Sequence, residues 1–529
     1  MDEKGTIKIN TKDEVPEVVI AQKIIEAHLI YTIEEWDAKY DSSSIAIYKE
    51  GVFIVGKRAG SQIREWITDV AENVQIETIN SDGKTTYRPY RITMTNRAEI
   101  LEQIKTRTFC SFTEFDIDMS RLSCRNGHVC FKPDGSHVFI EHFEHNENPY
   151  KTFFQIPWDY NPDAECLKID QALTDIFGLD RVPLIYEILA YCCMPFIKYE
   201  KAFLLYGPPN SGKTTFIEGL LMALLGGSDE RNWIDIASQT ELQALGFRFA
   251  LSRLKGKRIN YFDDLSPKAL RATAMKYFRI LVTNKFLAGE LKHVNGQVGW
   301  RNIIKLIFTC NDLPELKKDP GEQFWRRWLL LHCNNEFKEA DKFIIEDRND
   351  PNLFEKDTGL KDKLINGEQM SGLVNKIIEA WKRLEERGSF PAEWDDSEAI
   401  KKLWLFDVNP IASFVEECCE TKPEYEVDYE IFYKALNKYR EKNNAKPISK
   451  HMMTQKMGLL GLEGWNDNKK IEKRYHRESS GRNYVGIRIK TEEEKEKPQN
   501  SENRTIEETL GNLPQQKKDN VDYSDIDRF

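Results

Sequence analysis

Residues 201–215, Lys-Ala-Phe-Leu-Leu-Tyr-Gly-Pro-Pro-Asn-Ser-Gly-Lys-Thr-Thr, constrain the fold more than any other stretch of this chain. The apolar run from Ala202 to Tyr206 has the composition of a buried strand. Gly207, Pro208, Pro209, Asn210, Ser211, Gly212, Lys213, Thr214 and Thr215 follow, and an apolar helical run extends from Phe216 to Leu225. Gly-x-x-x-x-Gly-Lys-Thr set between a strand and a helix is the P-loop arrangement. Successive backbone N–H groups and the helix N-terminus then form a concave site for nucleotide phosphates. In such a loop Lys213 reaches the β- and γ-phosphates and the Thr214 hydroxyl ligates Mg²⁺. ATP and Mg²⁺ are therefore the expected cofactors.

A chain of 529 residues has room for three or four domains at roughly 100–200 residues each. Its net charge of −10 argues against a nucleic-acid partner only as an average. Residues 446–490 carry 11 Lys and Arg against 4 acids, whereas residues 491–529 carry 11 acids against 6 bases. The ten cysteines include no Cys-x-x-Cys pair. Cys124, His128 and Cys130 come nearest to a ligand cluster but lack a fourth ligand at zinc spacing, so buried free thiols are expected. The N-terminus has no apolar signal core, and no run approaches the length of a membrane span. An intracellular, reducing setting without a membrane partner is expected, in the host cytoplasm or, in a eukaryotic host, the nucleus.

Patterning divides the chain further. A helical run is read from Val18 to Ile33, and Ile45–Val55 reads as a tight hairpin turning at Lys49-Glu50-Gly51. Residues 111–165 read as short strands and turns. From Leu167 to Lys198 apolar residues recur at helical spacing. A compact domain of helices and short strands is expected over 405–490. The charged stretch after 490 is too poor in apolar groups to fold, although its acidic end, Asp522 to Phe529, resembles a docking tail.

Three further motifs surround the loop. Lys257–Phe262 is a strand-like run ending in Asp263 and Asp264, as a metal-holding and water-polarising site requires. Lys305–Cys310 is another, closing on Asn311, whose amide at a strand tip can sense a γ-phosphate. Phe324-Trp-Arg326-Arg327 leads into a third apolar run, and guanidinium is suited to spreading charge on a transferred phosphoryl group. Near the C-terminus Lys469, Lys470, Lys473, Arg474, Arg477, Arg482 and Arg488 crowd a hairpin-like stretch interleaved with Tyr475 and Tyr484. Such a stretch can neutralise phosphates while its aromatics stack or wedge.

The order of loop, Asp-Asp strand, Asn strand and Arg pair resembles the superfamily 3 helicases, the hexameric AAA+-like motors of small DNA viruses, plasmids and phages. Between the Asp-Asp and Asn strands lies Asn284–Gly296, where papillomavirus-type motors carry a Lys-His pair on a DNA-gripping hairpin; Lys292-His293 stands at that position. The flanks Leu122–Gly127, Tyr160–Cys166 and Glu187–Tyr191 resemble the pre-motor domain of phage, plasmid and poxvirus primase-helicases. Asn409–Cys419 and Gly481–Arg488 resemble the winged-helix-type domain that follows the motor in them. The likeness covers about residues 110–490.

It departs from the family at its start. Only Asp116 and Asp118 suggest a primase carboxylate set, and too little chain precedes them for a primase fold, so no primer synthesis is expected. The family pattern leaves open which of Asp263 and Asp264 holds the metal, and favours Arg327 over Arg326 as the arginine acting on a neighbouring subunit. The expected fold class is α/β, an AAA+-like P-loop ATPase core flanked by an N-terminal α+β domain and a C-terminal winged-helix-type domain. The expected spans are 1–110 (N-terminal domain), 111–190 (pre-motor or collar domain), 191–345 (ATPase), 346–404 (helical lid or connector), 405–490 (winged-helix-type DNA-binding domain) and 491–529 (disordered acidic tail).

The resemblance implies an ATP-dependent replicative DNA helicase working as a ring, most simply a homo-hexamer. Its partners would be single-stranded and forked DNA, together with replication proteins such as a primase, polymerase or single-strand-binding protein. An origin-binding initiator or loader is the alternative within the same chemistry, and a signalling or defence P-loop ATPase the alternative outside it.

Overall fold

The computed structural model describes residues 6–33, 45–111, 114–115, 120–142, 150–227, 236–247, 249–283, 285–290, 297–316, 319–343, 350, 352–409, 411–422, 424–442, 447–457, 473–475 and 482–491. They form a mixed α/β protein in two compact units. The first comprises Met1–Leu265, Arg271–Thr309 and Leu331–Ala392, and the second Ser266–Leu270, Cys310–Leu330 and Glu393–Phe529.

The first unit opens with β1 (Ile7–Ile9), α1 (Pro16–Ala27), β2 (Ile30–Ile33), β3 (Ile45–Lys49), β4 (Val52–Ile54), α2 (Lys57–Glu72), β5 (Val74–Ile79), β6 (Thr85–Pro89), α3 (Met94–Arg107) and β7 (Phe109–Cys110). They make two sheets, ordered β1-β5-β6 and β4-β3-β2-β7, over an isoleucine-rich core that includes Ile20, Ile24, Ile63, Ile67, Ile100 and Ile104. The expected hairpin is β3–β4, with Lys49 opposite Val52 and both turn residues, Glu50 and Gly51, at positive φ. The helix expected through Ile33 instead ends at Ala27. His28 is extended, and the β-branched run beyond it pairs with β3 and β7.

Next come β8 (Arg121–Cys124), β9 (Gly127–Phe131) and β10 (His137–Glu141), an antiparallel sheet ordered β10-β9-β8. The helical run after it is two helices, α4 (Leu167–Phe177) and α5 (Val182–Cys193), parted at Gly178. β11 (Ala202–Tyr206) follows, then α6 (Met222–Leu225), β12 (Ala237–Ser238), β13 (Ile259–Phe262), α7 (Ala272–Leu281), β14 (Phe286–Glu290), β15 (Gln297–Arg301), β16 (Lys305–Cys310), α8 (Glu322–Trp325) and β17 (Trp328–His332). Five of these strands make a sheet ordered β12-β13-β16-β11-β17, in which β12–β13 and β13–β16 are parallel. Every residue of β11 and β16 is buried, which explains their unbroken apolar character. Lys305 and Arg258 are buried among these strands, and both donate to the Met194 carbonyl at the C-terminus of α5, where the helix dipole favours cations.

The first unit continues with β18 (Glu336–Lys338), β19 (Leu353–Glu355), α9 (Leu360–Leu364) and α10 (Gly367–Arg387). α10 is pinned to α5 by the buried Glu187 carboxylate, which pairs with Arg383 at 3.3 Å and also with Arg387.

In the second unit Phe324, Trp325, Trp328 and Trp404 form an aromatic cluster with ring centroids 5.1–5.9 Å apart. Its remaining elements are α11 (Ser397–Val408), α12 (Ala412–Cys418), β20 (Cys419–Glu420), β21 (Glu426–Asp428), α13 (Tyr429–Lys442), α14 (Lys450–Met457), β22 (Lys473–Tyr475), β23 (Arg482–Val485) and β24 (Arg488–Ile489). β21, β23 and β22 form one sheet in that order, and Phe414, Phe432, Leu436, Met453 and Tyr484 belong to its core. Among the described residues no helix is long and apolar enough to cross a membrane.

Candidate functional site

The chain leaves β11 at Gly207, whose φ of 141° suits glycine alone. A β-carbon there would stand 2.2 Å from the Cys333 carbonyl oxygen. Pro208, Pro209 and Asn210 are exposed, Ser211 and Lys213 are buried, Thr214 is exposed and Thr215 is half-buried. The backbone becomes helical at Lys213 and passes through a wide turn, residues 215–221, into α6. The Lys213 ammonium folds back onto its own loop. It donates to the Gly207 carbonyl at 2.8 Å, the Pro208 carbonyl at 2.8 Å and Ser211 Oγ at 3.0 Å.

Asp263 and Asp264 are exposed just beyond β13, with Asp264 at φ 55°. The Thr309 hydroxyl of β16 donates to Asp263 Oδ1 and accepts from the Asp264 N–H at 3.0 Å. Asp264 N–H also reaches Asp263 Oδ1 at 3.1 Å. Tyr261, on β13 just before them, is buried. Burial first, then the charges of Asp263 and Glu218, push that phenol far above its usual range. Burial and the nearby Asp263 likewise raise the Glu218 carboxyl, against the pull of Lys361. The first unit thus brings the loop and the acidic strand end together. Thr214, Asp263 and Glu218 offer only hard oxygen donors, a set that fits Mg²⁺. Sequence reading missed Thr309, Tyr261 and Glu218, although Glu218 is the lone charge in its apolar helical run and Thr309 the hydroxyl two residues before Asn311.

His332 stacks on Tyr206, ring centroids 4.4 Å apart. Burial first, then Arg181 and Lys213, hold its pKa down to about 4, so it is neutral at pH 7.

Asn311, Arg326 and Arg327 belong to the second unit. Asn311 is exposed directly after β16, in a turn where Leu313 N–H donates to Asp407 Oδ2 at 3.2 Å and Trp404 Nε1 to the Pro314 carbonyl at 2.8 Å. The arginine pair sits in the turn between α8 and β17, not within the strand. Arg326 is exposed, whereas Arg327 is 5% exposed and donates to the Gln323 carbonyl of its own turn.

Lys292 and His293 lie outside the described residues; the strands on either side, β14 and β15, pair antiparallel with Glu290 opposite Gln297. Lys469, Lys470, Arg477, Asp116, Asp118 and the stretch from 492 to 529 also lie outside them. Lys473 and Arg474 fall on β22 and Arg482 on β23, which pair antiparallel. Arg488 is held by Glu420 at 2.5 Å and lies over the Tyr425 ring. Tyr484, read as a stacking or wedging aromatic, is instead 3% exposed and packed on Tyr429 and Phe432, because its strand turns that side chain into the core.

All ten cysteines are free thiols. Cys124 is buried, with its thiol pushed up to about 12 by burial. His128 Nδ1 lies 2.9 Å from Ser123 Oγ. Among the described residues no group of three His, Cys, Asp or Glu is placed to hold a metal.

Residues 34–178 match the family described as D5 N terminal like, and residues 205–327 match a family of unknown function, DUF5906. The chain is similar to the A form apo structure of the NrS-1 C terminal region, at 14% identity over 89% of this chain and 100% of that one, with a TM-score of 0.38. An apo structure of the same NrS-1 region is similar at 12% identity and a TM-score of 0.39, over 89% of this chain and 100% of that one. No curated protein matches the chain. The D5 N terminal-like match takes in residues 111–178 of the segment expected as the pre-motor domain.

Proposed function

We propose that the chain is a Mg²⁺-ATP-dependent replicative DNA helicase of the superfamily 3 type, from a virus, phage or plasmid, moving on single-stranded DNA as a ring. The observation that carries the reading is a strand-to-helix glycine loop that buries Lys213 on its own carbonyls, in the same unit as a strand end whose two acids are fixed by Thr309. In the working site Lys213 would exchange the Gly207 and Pro208 carbonyls for phosphate oxygens. Thr214 and Asp263 would hold Mg²⁺, which when bound neutralises charge between the β- and γ-phosphates. Asp264, fixed by Thr309, would polarise the attacking water, and Asn311 would sense the γ-phosphate. Such a site works mostly by positioning and charge stabilisation. An arginine from a neighbouring protomer would complete it. Exposure favours Arg326 for that task, since Arg327 is turned into its own unit.

Two features support DNA as the track. β14 and β15 pair antiparallel on either side of Lys292-His293. In the second unit the succession α12, β21, α13, α14, β22, β23, with the sheet order β21-β23-β22, is compatible with a winged-helix-type domain, and Lys473, Arg474 and Arg482 fall on its last two strands.

The reading is tested by measuring ATP hydrolysis with and without single-stranded DNA, beside particle mass with a non-hydrolysable nucleotide. DNA-stimulated hydrolysis and a nucleotide-dependent ring are expected. Unstimulated hydrolysis by a lone protomer would overturn it, and failure to displace a strand from forked duplex would favour an initiator or loader.

A further inference from the structure

The candidate nucleotide loop is braced from outside its own sheet. Residues 175–181, the end of α4 and the turn after it, reach the loop, the helical turn after it and the segment at the end of β17 at four places. A β-carbon at Gly212 would stand 2.7 Å from Ile176 Cγ1, so α4 packs directly beneath the loop. Phe177 meets Phe216 edge-on, with ring centroids 5.1 Å apart. Asn335 Nδ2 donates to the Asp175 carbonyl at 2.5 Å. Arg181 Nη1 donates to the His332 carbonyl at 2.6 Å.

The last contact has the longest reach. His332 stacks on Tyr206, and the next N–H, that of Cys333, donates to the Tyr206 carbonyl at 2.8 Å. The Cys333 carbonyl then crowds Gly207, where the loop begins. One guanidinium therefore holds the chain end that sets the start of the loop. Its charge acts in the same place, because Arg181 and Lys213 together depress His332 and together oppose the burial that pushes the Cys333 thiol up to about 12. The Arg181 side chain is only 11% exposed, so solvent screens it weakly, and the more exposed Asp180 carboxylate, 3.9 Å from its Nε, offsets part of its charge.

We propose that Arg181 is a positioning residue for nucleotide binding: it fixes the end of β17 against the first residue of the loop and adds a second positive charge beside Lys213. Nucleotide affinity then depends on the helix pair that precedes the motor, whose first helix closes the D5 N terminal-like match. The inference rests on the nucleotide reading of the loop given above. A polyanion loses affinity when either the loop geometry or the local positive potential is lost, and lysine keeps the charge without the planar fork.

The test uses the full chain as wild type, R181M and R181K, titrated with a fluorescent ATP analogue and Mg²⁺, beside melting temperature and steady-state hydrolysis. R181M is expected to weaken the analogue about tenfold and to raise KM for ATP by a similar factor, with kcat held within about twofold. R181K is expected to recover part of that loss, binding about threefold more weakly than wild type, and both variants to melt close to wild type. Analogue binding by R181M as tight as wild type overturns the proposal, as does a fall in kcat at unchanged KM. If R181M does not fold, an R181K that binds severalfold more weakly at unchanged melting temperature supports it. An R181K indistinguishable from wild type would then make Arg181 a residue of the fold alone and overturn it. A wild-type chain that binds no analogue removes the nucleotide reading and this inference with it, whereas failure of the variants alone removes only the latter.

Discussion

The Thr309 hydroxyl donates to the Asp263 carboxylate and accepts from the backbone N–H of Asp264, joining neighbouring parallel strands at their C-terminal ends. Because that oxygen accepts from Asp264, its single proton is committed to Asp263, and the turn carrying both acids is fixed by one side chain.

Thr309→Val removes both bonds while keeping the shape of the side chain. Loss of acid orientation is expected to lower kcat for ATP about tenfold or more, with nucleotide affinity changed by less than threefold. Thr309→Ser should restore most of the rate. Steady-state hydrolysis with a parallel nucleotide titration checks both; a valine variant as fast as wild type would remove Thr309 from the site.

Lys213→Ala deletes an ammonium held by three acceptors of its own loop. Hydrolysis is expected to fall by at least about 100-fold, and DNA unwinding with it. Circular dichroism should show an intact fold, since the bonds lost are confined to the loop itself.

The Lys292→Ala, His293→Ala double variant should separate hydrolysis from movement. Basal ATPase is expected to stay near wild type while displacement of a strand from forked DNA is lost. Equal loss of the two activities would argue against a DNA grip at these residues.

Acid should weaken the fold through His128. It is buried beside His142, Arg121 and Tyr150, and its pKa is held down to about 4, first by burial and then by the charges of His142 and Arg121. The unfolded chain takes up this proton near pH 6.5 and the folded chain only near pH 4, so stability present above pH 6.5 is lost as pH falls toward 4. The loss is expected to be roughly 1–3 kcal/mol. Urea unfolding at pH 7, 6 and 5 measures it, and the slope should shrink in His128→Asn.

The loop after β11 was legible because its signal is local: an apolar strand, glycines at the turn, and a helix that follows at once. The β3–β4 hairpin was legible for the same reason. The end of α1 was not, because apolar residues from Val18 to Ile33 satisfy helical spacing, and only pairing of Ile30–Ile33 with two other strands decides for extended backbone. Thr309 acts on a carboxylate 46 positions away, and Arg181 on a carbonyl 151 positions away. Tyr484 has the pattern of a surface aromatic in a basic hairpin, yet its strand presents it to Phe432 and Tyr429.

The sequence by itself determined the glycine loop between β11 and the helix after it, the acids at the end of β13 and the burial of β11 and β16. Each follows from side-chain chemistry and backbone preference within a dozen neighbouring residues. Only the tertiary structure decided that Thr309 orients the acids, that Arg327 is buried while Arg326 is exposed, and that α4 braces the loop. Those relations arise where distant segments are pressed together, and the energy of such contacts depends on partners that no local pattern names.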